Sequence, residues 1–209
     1  MDVAKYTELA RHYEACFIKH GPGHLGVDWP DSDGAGVRYR VMLGVLDSSK
    51  DDVSLLDFGC GDAALLNHLR AEGLADRVTY HGHDISEIYI EHCRSVHPSI
   101  PFTSGDVLTG SLVPVTDYTI ANGVFTERLS LSYEEMFSFM TETVSALFES
   151  ARCGIAFNVM TKDVDWERDD LFHVPLAEMA EFVAQLSRRY TIRQDYGLFE
   201  YTTYVYKEG

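Results

Sequence analysis

Apolar residues near the start of the chain recur at three- and four-residue steps. Tyr6, Leu9, Ala10, Tyr13 and Phe17 therefore predict an amphipathic helix from Val3 to about Ile18. His20 to Gly36 breaks the pattern with Gly, Pro and Asp and reads as a long loop or lid. Loops of that length in compact domains are often functional. Helical spacing returns from Val37 to Leu46, with Val41, Met42 and Val45 on one side, and Ser48 to Asp52 leads into a first strand.

From there short apolar runs alternate with helical periods. Strands are expected at Val53 to Phe58, Val78 to Asp84, Ile100 to Thr103, Val115 to Ala121 and Gly154 to Val159. Helices are expected at Ala63 to Ala71, Glu87 to Val96 and Tyr133 to Phe148, the last with Met136, Phe137, Met140, Val144 and Leu147 inward. Pro175 sits at the first turn of a further helix, Leu176 to Leu186, where its missing N–H costs nothing. Strands separated by helices of these lengths imply βαβ units and a parallel sheet. The chain ends differently, because Tyr190 to Tyr196 and Phe199 to Tyr206 read as two strands joined by the Gly197-Leu198 turn.

The 209 residues suffice for one domain with a full core, and no repeat or linker-like tract divides them. The expected organisation is a single domain, 1–209, with helices and a lid loop in 1–50 and the sheet-bearing core in 51–209. A formal charge of −16 argues against a nucleic-acid partner, whose affinity rests on clustered Lys and Arg. Cys16, Cys60, Cys93 and Cys153 are scattered, and Met1-Asp2-Val3-Ala4-Lys5 lacks the apolar run of a secretory signal. A cytoplasmic protein with reduced thiols, monomeric or homodimeric, with no membrane-spanning stretch, is expected.

The candidate chemistry centres on Leu55-Leu56-Asp57-Phe58-Gly59-Cys60-Gly61-Asp62-Ala63-Ala64, a strand that runs through a glycine turn into a helix. In an open α/β sheet the ligand crevice lies outside the carboxyl ends of the strands, and glycine lets the backbone approach a ligand. Gly59-Cys60-Gly61-Asp62-Ala63-Ala64 fits the dinucleotide turn G-x-G-x-x-G/A. A pyrophosphate there would face Asp57 and Asp62, which repel it. The same carboxylates attract the sulfonium and ammonium of S-adenosylmethionine. The stretch resembles motif I of the class I S-adenosylmethionine-dependent methyltransferases, Asp-x-Gly-x-Gly-x-Gly, with Ala63 in place of the third glycine. That departure is expected to affect mainly how closely helix and strand pack.

The resemblance covers about residues 53 to 206 and implies an α/β fold. It would be a single doubly wound, mostly parallel seven-stranded sheet with an antiparallel C-terminal hairpin strand and an N-terminal helical lid. Asp57, Gly59, Cys60 and Gly61 would form the cofactor turn. Asp84, ending the second strand about twenty residues beyond that turn, would accept hydrogen bonds from the ribose diol, with Ile85 beside it; capping of the helix near Ser86 is the structural alternative. Asp106 and Val107 resemble the residues that meet the adenine amino group and pack on its ring. Asn122 and Gly123 follow the fourth strand and would face the transferable methyl group, unless Asn122 serves only to bond the loop backbone. The Asp/Asn-Pro-Pro-Tyr tetrad of enzymes methylating exocyclic amines of nucleic acids or glutamine is absent. Arg38 and Tyr13 lie where relatives place groups that bind the methionine carboxylate or cover the site.

His173, after the fifth strand, is a candidate general base, with Asn122 the second catalytic candidate. His20/His24 and His81/His83 lack the third and fourth ligands of a zinc site, so no metal is expected. The expected activity is methyl transfer from S-adenosylmethionine to a small-molecule acceptor. The alternatives are a nicotinamide-dependent oxidoreductase, disfavoured by Asp57 and the hairpin ending, and a non-catalytic binding module of the same fold.

Overall fold

A computed structural model describes residues 3–29 and 32–208. The elements in chain order are α1 (Val3–His20), α2 (Ser32–Met42), β1 (Val53–Phe58), α3 (Ala64–Ala71), β2 (Val78–Asp84), α4 (Glu87–Val96), β3 (Phe102–Ser104), β4 (Tyr118–Ala121), α5 (Tyr133–Ser150), β5 (Gly154–Thr161), β6 (His173–Val174), α6 (Leu176–Leu186), β7 (Tyr190–Arg193) and β8 (Glu200–Tyr206). Short 3-10 turns occupy His24–Val27, Leu43–Val45 and Val107–Thr109.

Seven strands run in the order β3-β2-β1-β4-β5-β8-β7, with the two-residue β6 paired to β5 off that path. β1 lies parallel between β2 (Val53↔Val78 to Phe58↔His83) and β4 (Leu55↔Tyr118). β8 runs antiparallel to β5, from Gly154↔Tyr206 to Met160↔Glu200. The seven-stranded path and the reversed strand are as expected from the sequence, and β6 is an addition to it.

Alternation along the central strands builds the core on both faces of the sheet. Leu55, Ile120 and Ala156 join Leu65, Leu69 and Ile90 of α3 and α4, with Val41 and Met42 of α2. Leu56, Ala121 and Phe157 face Met136, Met140, Val144 and Leu147 of α5 and Met179 of α6. Each of the Leu, Ile, Val, Phe and Met side chains among them contributes roughly 1.5–3 kcal/mol on full burial, and burial on both faces explains why the strands read as nearly continuous apolar runs. α5 starts cleanly because Ser132 Oγ accepts the Glu135 N–H at 3.2 Å while Glu135 accepts the Ser132 N–H at 2.9 Å.

α1 lies across the carboxyl end of this sheet, where Tyr6 stacks on Phe139 of α5 with ring centroids 4.9 Å apart. The segment expected as one long loop from His20 to Gly36 is shorter than that. It contains the His24–Val27 turn, and α2 takes in Gly34 and Gly36. Burial of Gly34, Val41 and Met42 against the core outweighs the poor helix propensity of glycine. Pro30 and Asp31, within that expected loop, lie outside the described residues.

Candidate functional site

The turn after β1 is built from left-handed residues. Gly59 has φ 72°, Gly61 φ 51° and Ala63 φ 62°. The Gly59 and Cys60 N–H groups both donate to the His83 carbonyl, at 2.8 and 3.1 Å, which fixes the turn against the end of β2. A Cβ on Gly59 would meet Val124 Cγ2 at 2.5 Å, so the missing side chain admits the loop after β4. Ala63 changes the sequence expectation. Its place in the motif calls for glycine because the backbone is left-handed there, at a cost of roughly 1–2 kcal/mol for an L-residue, and not chiefly because helix and strand pack closely.

Around the turn lies a cavity of about 1140 Å³, its open mouth included. Four carboxylates line it, Asp57, Asp62, Asp84 and Asp106, and no Lys or Arg does among the described residues. Asp57 Oδ2 accepts the Tyr80 hydroxyl at 2.6 Å. Burial raises its pKa to about 7; the Tyr80 bond opposes the shift, and the charges of Asp84 and Asp62 add to it. Asp84 Oδ2 accepts the Gly61 N–H and Oδ1 the Ser86 N–H, each at 3.0 Å. Burial pushes the Asp84 carboxyl up, against the pull of those backbone bonds. Asp84 thus bonds the backbone at the glycine turn and at Ser86, which precedes α4, without capping the first turn of that helix, while its oxygens keep lone pairs for a ligand.

Asp62 Oδ2 accepts the Gly23 N–H at 2.7 Å, which ties the segment after α1 to the glycine turn, and its Oδ1 is buried without a partner. Asp106 Oδ1 accepts the Leu108 N–H at 2.9 Å and its Oδ2 the Tyr6 hydroxyl at 2.7 Å. Cys60, Ile85, Val107 and Gly123 also line the cavity. Asn122 is there too, with its Oδ1 buried and unpartnered. The loop-bonding task weighed for Asn122 falls instead to Asn158, whose Oδ1 accepts the Gly123 N–H at 2.8 Å.

Tyr13 lines the cavity from α1, and its buried hydroxyl is bonded to Glu127. Burial, then the Asp28 charge, raises Glu127 to about 7, against the opposing effects of His12 and Tyr13. The rest of the wall is apolar and aromatic: Tyr6, Leu9, Trp29, Tyr39, Tyr89 and Phe139. Tyr6, Leu9, Tyr89 and Phe139 were not anticipated as site residues. On α1 the signal was present, since the stripe read as a packing face is also the roof of the cavity.

Two expected residues lie elsewhere. His173 is on β6, its Nδ1 2.6 Å from the Thr161 carbonyl and its Nε2 buried without a partner, and it does not line the cavity. β6 pairs alongside β5 instead of folding over the site, so the ring is sealed in the sheet edge, and its expected role as general base is withdrawn. Arg38 does not line the cavity either. Its Nε donates to the buried Glu200 carboxylate at 2.7 Å, and its guanidinium covers the Trp29 ring 5.0 Å from the centroid. The expected grip on a methionine carboxylate gives way to an internal ion pair.

Strand order and the reversed last strand give the chain a Rossmann-like fold similar to that of class I S-adenosylmethionine-dependent methyltransferases, with the acid-lined glycine turn at the carboxyl end of β1. Over 163 residues, 77% of this chain and 96% of the relative, it is 29% identical to a protein of Mycobacterium tuberculosis (strain ATCC 25618 / H37Rv) named "Putative methyltransferase Rv1506c". Among solved structures, it resembles magnesium protoporphyrin IX methyltransferase from Synechocystis PCC 6803 with bound S-adenosylmethionine, with a TM-score of 0.67 at 14% identity over 100% of this chain and 98% of that one. It also resembles the plantazolicin methyltransferase BpumL in complex with a desmethyl plantazolicin analogue and S-adenosylhomocysteine, with a TM-score of 0.63 at 14% identity over 99% of each chain. At these identities the two structural likenesses speak to the fold. No family model matches the chain.

Proposed function

We propose that the protein transfers a methyl group from S-adenosylmethionine to a small, largely apolar or aromatic acceptor. One observation carries the reading: a ligand cavity at the carboxyl ends of β1, β2 and β4 is lined by four carboxylates and no cationic side chain among the described residues. A dinucleotide pyrophosphate is repelled there, whereas a sulfonium and an ammonium are attracted. The unpartnered Oδ1 atoms of Asn122 and Asp62 are features that such a cofactor would use.

In this reading Asp84 accepts the ribose hydroxyls on its remaining lone pairs, and Asp106 with Val107 and Ile85 flanks the adenine. Asp57 and Asp62 supply negative potential for the cationic end, and Asn122 offers its free carbonyl beside Gly123. When bound, S-adenosylmethionine supplies an already activated methyl group. The chain's contribution is then to align the acceptor and exclude water, worth up to about 7–11 kcal/mol for well-oriented partners. Tyr6, Tyr13, Trp29 and Phe139 line the volume left for the acceptor and favour a flat apolar molecule. Tyr6, Tyr13 and Trp29 of that roof come from the first 50 residues, read as part of one domain with the core.

Calorimetric titration tests the assignment: S-adenosylmethionine and S-adenosylhomocysteine should bind in the micromolar range, and NADH should neither bind nor compete. Tight NADH binding that displaces S-adenosylmethionine would overturn it. No helix among the described residues is long and apolar enough to cross a membrane. A cytoplasmic location and a monomeric or homodimeric state complete the proposal, to be read by fractionation and sedimentation.

A further inference from the structure

Three metal-ligating groups cluster between α1 and the turn after it, His12, Cys16 and Asp28, and Glu127 lies next to His12. His12 and Cys16 lie one helical turn apart on α1. Asp28 ends the His24–Val27 turn, and Glu127 lies in the loop after β4. His12 Nε2 is 2.6 Å from Asp28 Oδ2, 3.9 Å from Cys16 Sγ and 3.8 Å from Glu127 Oε2. The ligand atoms of His12, Cys16 and Asp28 all lie within 4.8 Å of one another.

One further observation points to a ligand. Glu127 Oε2 is buried with no hydrogen-bond partner, an orphaned acceptor close to the same imidazole nitrogen.

We propose that His12, Cys16, Asp28 and Glu127 form a binding site for a borderline-soft divalent cation of the zinc type. One imidazole, one thiol and two carboxylates supply four donors of the kinds zinc takes. Ligand bonds of about 2.0–2.3 Å place tetrahedral donors roughly 3.3–3.6 Å apart. The His12–Cys16 and His12–Glu127 separations are within a few tenths of an ångström of that range, and the His12–Asp28 pair opens by about 0.7 Å to admit the ion. His12 and Asp28 are 35% and 42% exposed, which leaves an entry path. The ion would staple α1 and the turn after it to the loop that follows β4. Because Glu127 also holds the Tyr13 hydroxyl, the staple would fix the cavity roof, and the site itself does not depend on which cofactor fills the cavity.

The test uses the full chain stripped by a chelator and titrated with cobalt(II), then zinc. We expect one equivalent of cobalt to produce a thiolate-to-cobalt charge-transfer band in the near ultraviolet, bleached by one equivalent of zinc. Cys16→Ser should abolish the band, and His12→Gln and Glu127→Gln should each weaken binding at least tenfold. Cys153→Ser, at the other half-exposed cysteine, should change neither. Circular dichroism melts confirm that each variant is folded, and the wild-type band stands as a readout even where one variant is not. No band in the wild type, or a band that survives Cys16→Ser, would overturn the site and leave the His12–Asp28 contact as a plain hydrogen bond.

Discussion

Asp84 Oδ2 accepts the Gly61 backbone N–H at 3.0 Å, so the acid at the end of β2 closes the glycine turn at the end of β1. Its partner oxygen holds the Ser86 N–H at the start of α4. One carboxylate therefore supports the fold and lines the cavity at once. Asp84→Ala should lower both apo stability and S-adenosylmethionine affinity, the latter by about 30- to 1,000-fold for roughly 2–4 kcal/mol. Asp84→Asn keeps one acceptor oxygen and should fall between wild type and alanine on both measures. Calorimetry and melting curves read the two effects. Affinity within about threefold of wild type in both variants would exclude a ribose contact.

Asp57 should make cofactor affinity depend on pH. Its folded pKa is raised to about 7, above the unfolded value near 3.9, because burial disfavours the charged form. The folded chain thus holds a proton that the unfolded chain has released. The resulting stability is fully present below about pH 4 and is lost as pH rises through about 7. A cationic ligand favours the ionised carboxylate, so affinity should rise by up to tenfold per pH unit below 7 and level off above it. Asp57→Asn, which still accepts the Tyr80 hydroxyl, should flatten both profiles. An unchanged affinity slope in that variant would assign the titration to another group.

Arg38 should behave as a structural cation. The Arg38–Glu200 pair continues through Asn158, whose Nδ2 donates to Glu200 Oε1 at 3.1 Å and whose Oδ1 holds the Gly123 N–H at the cavity wall. Glu200 is 1% exposed, and removing its partner strands a buried charge. Arg38→Ala should cost about 3 kcal/mol in denaturant melts. Adding Glu200→Gln should restore part of that loss. If Arg38 instead bound the cofactor carboxylate, the single variant would lose affinity at unchanged stability.

Much of this arrangement was legible in the chain. β1, β2, α4 and α6 fall where periodicity put them, because in each the apolar spacing and the turn residues at its ends point to the same boundaries. The motif residues Asp57, Gly59, Gly61, Asp84, Asp106 and Asn122 come together because a parallel sheet brings its strand ends to one crevice. What local pattern does not carry is which distant side chain answers a charge. Arg38 finds Glu200 at the far end of the chain, and His173 is drawn into a two-residue edge strand with no periodicity of its own. Gly34 and Gly36 mark a loop by composition, yet burial makes a helix of them. His12 and Cys16 stand one turn apart in the sequence, but their partners Asp28 and Glu127 are visible only once α1 is laid across the sheet.

Asp62 links the roof to the turn through its 2.7 Å bond from the Gly23 N–H. The residue thus does two separable things. As an acceptor it holds the segment between α1 and α2 against the site, and as a charge it adds to the negative potential in the cavity. Asp62→Asn keeps an acceptor oxygen and removes the charge, so amide exchange over residues 20–29 should stay near wild type while S-adenosylmethionine affinity falls. Asp62→Ala removes both, and exchange at Gly23 and its neighbours should speed up by about tenfold or more, the equivalent of at least ~1.4 kcal/mol of lost local stability. Charge-assisted bonds of this kind are worth roughly 1.5–3 kcal/mol, which sets the upper end of that change. Exchange measured by mass spectrometry on both variants, with and without cofactor, decides the matter. Equal exchange in the two variants would show that the tether does not hold the segment, and equal affinity in Asp62→Asn and wild type would remove Asp62 from the cofactor's electrostatics.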